Sequence, residues 1–245
     1  MTQAIQKKLN DSAFARWTAL ILVALTMFFG YMFVDVLSPL QNMLESTRGW
    51  SPTIFGLYGG SEFILNVCGF LLVAGIILDK MGVRFTGILS ASLMVLGAGI
   101  KFYGLSNYFY EGGFGYEFLS SFLTDIPASA KLACLGFMVF GCGTEMAGVT
   151  VSRAIVKWFT GKELALAMGL EMAIARLGVF AVFSLSPWVA NWGGDPSVAR
   201  PVAVVGLLLC IGLLTYIAFS VMDFKLDRQT EADTPIGETE EPFKV

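Results

Sequence analysis

Polar residues are sparse along this chain and fall in clusters, separated by long apolar runs. Six runs stand out, at residues 17–40, 52–78, 84–104, 131–155, 163–188 and 201–222. A helix needs about 20 apolar residues to cross the hydrocarbon of a bilayer, and each run meets that length. The pattern predicts an all-α integral membrane protein, a six-helix bundle over residues 17–222. Residues 1–16 precede it as a short N-terminal segment. Residues 223–245 follow as an acidic tail with seven acids against three bases, and that composition reads as a disordered linker. The first run is too long for the apolar core of a signal peptide, and no small-x-small cleavage site follows it.

Composition narrows the class. Apolar residues make up 56% of the chain and charged residues 14%, where a soluble domain carries about 25% charged. So much apolar side chain has too little polar surface to cover it, so burial is in lipid. The net charge of −3 speaks weakly against nucleic-acid binding. Histidine is absent, which removes the usual general base and a common metal ligand. Cys68, Cys134, Cys142 and Cys210 lie inside apolar runs without CxxC spacing and read as packing residues. No metal site, cofactor or catalytic residue is expected. The Gly141–Gly148 stretch is explained by close helix packing rather than by a dinucleotide fingerprint, because no strand precedes it.

Basic residues give an orientation. With a cytoplasmic N-terminus, eleven bases fall on inner segments, among them Lys80, Arg84, Arg153 and Lys157. Only Arg48, Lys101, Lys131 and Arg200 fall on outer ones. This positive-inside bias places both termini in the cytoplasm. Trp17, Trp50, Trp158, Trp188 and Trp192 all stand at span ends, where amphipathic rings prefer to sit. The long outer segment 105–130 reads as a plain surface loop, with packing on the outer face or a short helix as the alternative.

Ionisable groups inside a span are costly and are functional candidates by default. Five qualify: Asp35, Glu62, Glu145, Glu171 and Arg176. Glu145 and Arg176 are equidistant from the turn between the fourth and fifth runs, each roughly 18–21 Å from its span ends at 1.5 Å per residue. They are expected to meet near the midplane as an ion pair. Such a pair either neutralises itself and fixes packing, or holds opposite charges of a substrate, the arginine fork suiting a carboxylate. Asp35 and Glu62 share a depth on the first two runs, and Tyr31 and Asn66 lie on the same stripes as secondary lining. Glu171 is expected to meet water or Arg153.

Between the second and third runs stands Gly75-Ile-Ile-Leu-Asp79-Lys80-Met81-Gly82-Val83-Arg84. This resembles the G-x-L-a-D-r-x-G-r-[RK] signature of the major facilitator superfamily (MFS), with Val83 in place of one usual basic residue. Arg153-Ala-Ile-Val-Lys157-Trp158-Phe159, continuing to Gly169, is similar to the junction after the fourth helix of such carriers. The resemblance covers residues 14–225 and implies one six-helix half, built from two inverted three-helix repeats, of a twelve-span secondary carrier. It implies transmembrane transport by alternating access, with Gly75, Asp79, Lys80, Gly82, Arg84 and Arg153 as a conformational latch. It also implies three partners: the lipid bilayer, a small-molecule solute, and a C-terminal half or a second membrane protein. Charges of both signs at one depth favour a zwitterionic or anionic solute. The spacing and setting of Glu145 and Arg176 are similar to the lysosomal dipeptide-uniporter branch. The resemblance implies a plasma or bacterial inner membrane, or else a lysosomal one, as the compartment. The alternative is a half-carrier that does not transport and instead acts as a receptor or subunit. An enzyme is not expected.

Overall fold

The structure is a computed structural model, and it describes residues 8–233. Among these residues every regular element is helical. The principal helices are α1 (Ala13–Val34), α2 (Gln41–Arg48), α3 (Pro52–Ser61), α4 (Leu71–Leu105), α5 (Asn107–Tyr110), α6 (Tyr116–Ser120), α7 (Ala128–Phe159), α8 (Leu164–Ala190) and α9 (Ala199–Asp233). Capping starts several of them: Ser12, Ser51 and Ser106 each accept a backbone N–H of the first turn of α1, α3 and α5.

Five helical stretches are long and apolar enough to cross a membrane, and the second, Pro52–Leu105, runs for 54 residues. At 1.5 Å per residue that is about 80 Å, more than twice a bilayer core. Contacts with α7 show how this length is folded. Before Gly82 the numbers rise together: Trp50 donates to Ser129 Oγ at 3.0 Å, Tyr58 stacks on Phe137 at 4.7 Å, and Asp79 pairs with Arg153. After Gly82 they run opposite, with Ser90 against Gly143, Gly97 against Gly136 and Gly104 against Leu132. The chain therefore reverses at Gly82, whose φ of 75° and ψ of 175° suit only a residue without Cβ. Six helical rods result, as the apolar runs predict.

The same register logic places the other rods. Arg16 meets Glu163, Phe28 meets Gly178, and Ser186 donates to Val36 O, so α1 and α8 run parallel. Gln229 accepts from Leu9 N–H, and Thr26 donates to Gly212 O, so α9 runs antiparallel to α1. We call the end holding Gly82 and the 159–164 turn the lower end, and the end holding α5 and α6 the upper end.

The tightest seam joins the second arm of α4 to α7. A Cβ on Gly97 would stand 2.5 Å from Gly136 O, and one on Gly136 would stand 2.6 Å from Lys101 N. Small residues let the two backbones touch, which is how helices associate where lipid offers no hydrophobic drive.

Four expectations need correction. The acidic tail does not begin as a linker: α9 continues as helix to Asp233, and Asp223 is buried. Residues 234–245 lie outside the described residues, as do residues 1–7 of the N-terminal segment. The 105–130 segment holds two short helices, and Phe109 of α5 is fully buried. The first run ends as helix at Val34, so Asp35 closes α1 rather than lying inside it. Trp50 and Trp158 are buried, with indole N–H groups bonded to Ser129 and Asp223, so packing rather than interfacial solvation places them.

Candidate functional site

Glu145 and Arg176 form no ion pair, which corrects the expected bridge. α7 packs chiefly on α4 and α8 on α1, so the turn between α7 and α8 does not bring the two side chains together. The Arg176 guanidinium lies 5.0 Å from the Tyr31 ring centroid, a cation–π contact between α8 and α1. Glu145 is half-buried and has no hydrogen bond or ion pair among the described residues. Both heads are left free of each other.

Glu62 and Asn66 sit where the second rod breaks. α3 ends at Ser61, and a π-helical turn spans Asn66–Phe70, with Gly69 at φ 107° outside helical geometry. Such turns recur at functional sites because they re-aim side chains and free backbone groups. Here the break brings the backbone of Glu62 against Gly141 of α7. Asn66 donates to Glu62 O at 3.3 Å, while its own Oδ1 is buried without a partner, as is the hydroxyl of Tyr58. Asp35 accepts from Ser38 Oγ at 2.9 Å, one turn beyond the end of α1.

Lys101 was read from the sequence as an outer-loop base. The structure instead places it inside the bundle at 0% exposure. Its ammonium lies 4.3 Å, 5.0 Å and 4.4 Å from the ring centroids of Phe33, Tyr58 and Phe137, and donates to Phe33 O at 3.5 Å. It has no ion pair among the described residues. Glu62 is itself only 5% exposed. Glu62 and Lys101 are thus two buried ionisable groups of opposite sign that form no ion pair, the ammonium being held among three rings. One sequence signal pointed here: Lys101 falls within the 84–104 run and not beyond it.

The latch residues divide into two groups. Asp79 pairs with Arg153, and both are exposed at the lower end. Gly75 lies on the same rod as Asp79 and Gly82 at its reversal, and Lys80 is exposed between them. Arg84 does not join Asp79; it reaches Asp227 at 3.3 Å and Asp223 at 4.0 Å on α9. Lys157 bonds Asp223 at 2.8 Å and Asp227 at 2.6 Å, and Trp158 donates to Asp223 at 2.9 Å. This cluster ties three rods together, and half of it comes from residues that composition assigned to a linker. Glu171 does not meet Arg153, which Asp79 occupies; Glu171 is buried without a bonded partner among the described residues.

A third cluster anchors the N-terminus to the 159–164 turn. Lys162 reaches Asp11 at 2.6 Å and Asn10 O at 3.0 Å, and Arg16 reaches Glu163 at 3.2 Å. The Lys162 hydrogen bond, with a second from the Lys8 backbone, holds the Asp11 carboxyl below its ordinary range.

Curated relatives match this chain along its length. The Lysosomal dipeptide transporter MFSD1 of Pongo abelii is 24% identical over 242 residues, covering 94% of this chain and 46% of the relative. Its Bos taurus counterpart is 30% identical over 118 residues, covering 45% of this chain and 25% of that protein. The Gallus gallus protein is 35% identical over 81 residues, 33% of this chain and 18% of its own length. The chain thus spans about half the length, or less, of these curated relatives. The profile of the Major Facilitator Superfamily matches residues 20–245, nearly the whole helical bundle and its lower-end charge motifs. On that match and on its all-helical, membrane-length rods, the chain belongs to the Major Facilitator Superfamily.

Proposed function

We propose that this chain is the N-terminal bundle of a carrier that moves a small polar solute across a membrane by alternating access. The solute is zwitterionic or anionic: a short peptide, an amino acid or an organic acid. The observation that carries this reading is the free state of Glu145 and Arg176. An ionised side chain at mid-membrane costs several kcal/mol unless it meets water, a counter-charge or a ligand. Two opposite charges that leave one another unpaired suit a solute that brings both signs. Arg176, steadied on Tyr31, would take a carboxylate through its planar fork, and Glu145 would take an ammonium. Asp35, Glu62 and Asn66 would line the same cavity. The dipeptide-transporter name of the relatives supports this solute class.

In this reading the six rods are six crossings with both termini cytoplasmic, and a second six-helix half completes the cavity. Asp79 and Arg153, with Gly75, Lys80, Gly82 and Arg84, form the lower-end latch. In the complete carrier reconstituted in proteoliposomes, Arg176→Ala is expected to abolish uptake of a zwitterionic dipeptide and leave membrane insertion intact. Uptake at the parental rate would refute the assignment.

A further inference from the structure

Arg176 is placed by a seam to which it does not itself belong. α8 packs chiefly on α1, and its buried stripe runs through Ala175, Gly178, Val182 and Ser186, while Arg176 stands beside the stripe and is exposed. Two members of the stripe reach the backbone of the first rod. A Cβ on Gly178 would stand 2.3 Å from Phe28 O, and Ser186 donates to Val36 O at 2.7 Å. Gly178 and Ser186 are separated by the same number of residues as Phe28 and Val36, so the two rods run in step between these contacts. Tyr31 lies inside that interval, Arg176 stands just before Gly178, and the guanidinium reaches to 5.0 Å from the Tyr31 ring centroid. No acidic side chain bonds Arg176 among the described residues, so the ring is what fixes it.

The spacing leaves little room. A cation–π contact holds to within about 6 Å of the ring centroid, so Arg176 has about 1 Å to spare. A methyl group added at Gly178 must move by about 1 Å to reach ordinary contact at 3.4 Å, and the atom in its way is a backbone oxygen that cannot swing aside. Parting the rods by that distance carries the guanidinium to the edge of its contact. Gly169, earlier on α8, opens onto free space, so the requirement is particular to Gly178. We propose that Gly178 is a positioning residue that sets the carrier's preference for solutes bearing a carboxylate. By seating α8 on Phe28 O it steadies the Arg176 guanidinium against Tyr31. An ordered fork loses less freedom when it pairs with a carboxylate. Released from the ring, the arginine keeps its charge but not its direction. Affinity for a carboxylate then falls, while a solute without that group is unaffected. This role rests on Arg176 as the carboxylate's partner.

Two measurements on the complete carrier test it. In protein labelled with nitrogen-15 at arginine, the Arg176 Nε–H resonance, assigned by its loss in Arg176→Lys, is expected upfield of a solvated arginine because of the ring beneath it. Tyr31→Leu and Gly178→Ala are both expected to abolish that shift, and Gly169→Ala to keep it. A Gly178→Ala resonance at the parental position overturns the proposal. In proteoliposomes, Gly178→Ala is expected to raise KM for alanyl-alanine about five-fold. Its kcat is expected to stay close to parental, and inhibition by alanyl-alanine amide, which lacks the carboxylate, to be unchanged. Ser186→Ala loosens the same seam without a clash and is expected to raise that KM by less, which serves should Gly178→Ala fail to fold. Equal effects on peptide and amide, or a fall in kcat alone, assign Gly178 to packing and overturn the proposal. Parental uptake by Arg176→Ala removes the solute reading and this role together. Abolished uptake there, with the parental preference kept in Gly178→Ala and Ser186→Ala, removes the role alone.

Discussion

Replacing Lys101 by methionine isolates the worth of the buried charge couple. Methionine keeps most of the volume, so little cavity forms, and a swap of this kind alone costs about 1.5 kcal/mol or less. What is lost is the ammonium, which is 0% exposed and sits within 5.0 Å of three ring centroids. A desolvated cation–π contact contributes about 2 kcal/mol. Glu62, 5% exposed, also loses an opposite charge that acts on it without an ion pair. Lys101→Met is therefore expected to destabilise by about 2–3 kcal/mol, a fall in Tm of roughly 4–12 °C for a chain of this size. Glu62→Gln strands the ammonium instead, though the three rings still hold it, so its cost is smaller. The double variant removes both charges and is expected to recover about 1–3 kcal/mol relative to the sum of the single costs. Unfolding in mixed detergent micelles, followed by far-UV circular dichroism, measures all three. Strict additivity, within about 0.5 kcal/mol, would show that the two charges do not act on each other and would refute the coupling.

Three further outcomes follow from the packing and the lower-end charges. Asp223→Ala, at a carboxylate only 1% exposed and bonded to Lys157 and Trp158, is expected to cost about 3–5 kcal/mol in the same unfolding assay; a loss below 1 kcal/mol would remove the cluster from the list of structural ties. Gly97→Leu forces a Cβ to 2.5 Å from Gly136 O, so the α4–α7 seam must part, with an expected loss of about 3 kcal/mol or more; parental stability would contradict the close approach. The Asp11 carboxyl is held below its ordinary range, chiefly by Lys162, so its stabilising contact is fully present above the unfolded value of about 3.9. That contact is lost as pH falls through the lower folded value. Hydrogen exchange of the Leu9–Asp11 turn is expected to rise, relative to neighbouring turns, in that acidic window, and Asp11→Asn to abolish the pH dependence. An identical profile in the variant would assign the change to another group.

Much of the architecture was legible because lipid selects so strongly on side chains. A membrane span must be apolar along its whole length, so residues 52–78 and 84–104 announced two rods even though helical stretches longer than either run through both. Gly82 marked the reversal, since only a residue without Cβ takes its backbone angles cheaply.

Azimuth was not legible. Which side of a helix a residue faces depends on how neighbouring rods rotate and seat against one another. Glu145 and Arg176, equidistant from one turn in the sequence, do not pair, while Arg84 turns from Asp79 toward α9. Lys101, near the end of its run, looked like a loop charge; only the Gly97–Gly136 seam, by drawing α4 against α7, brings it inward among Phe33, Tyr58 and Phe137. Asp223 and Asp227 looked like linker residues because local composition is polar, but one helical turn sets both against Lys157. By itself the sequence determined the helical class and the order of the apolar rods, which follow from hydropathy and chain length. Tertiary structure alone decided which charges meet, because partners are chosen by the rotation and close contact of helices far apart in the chain.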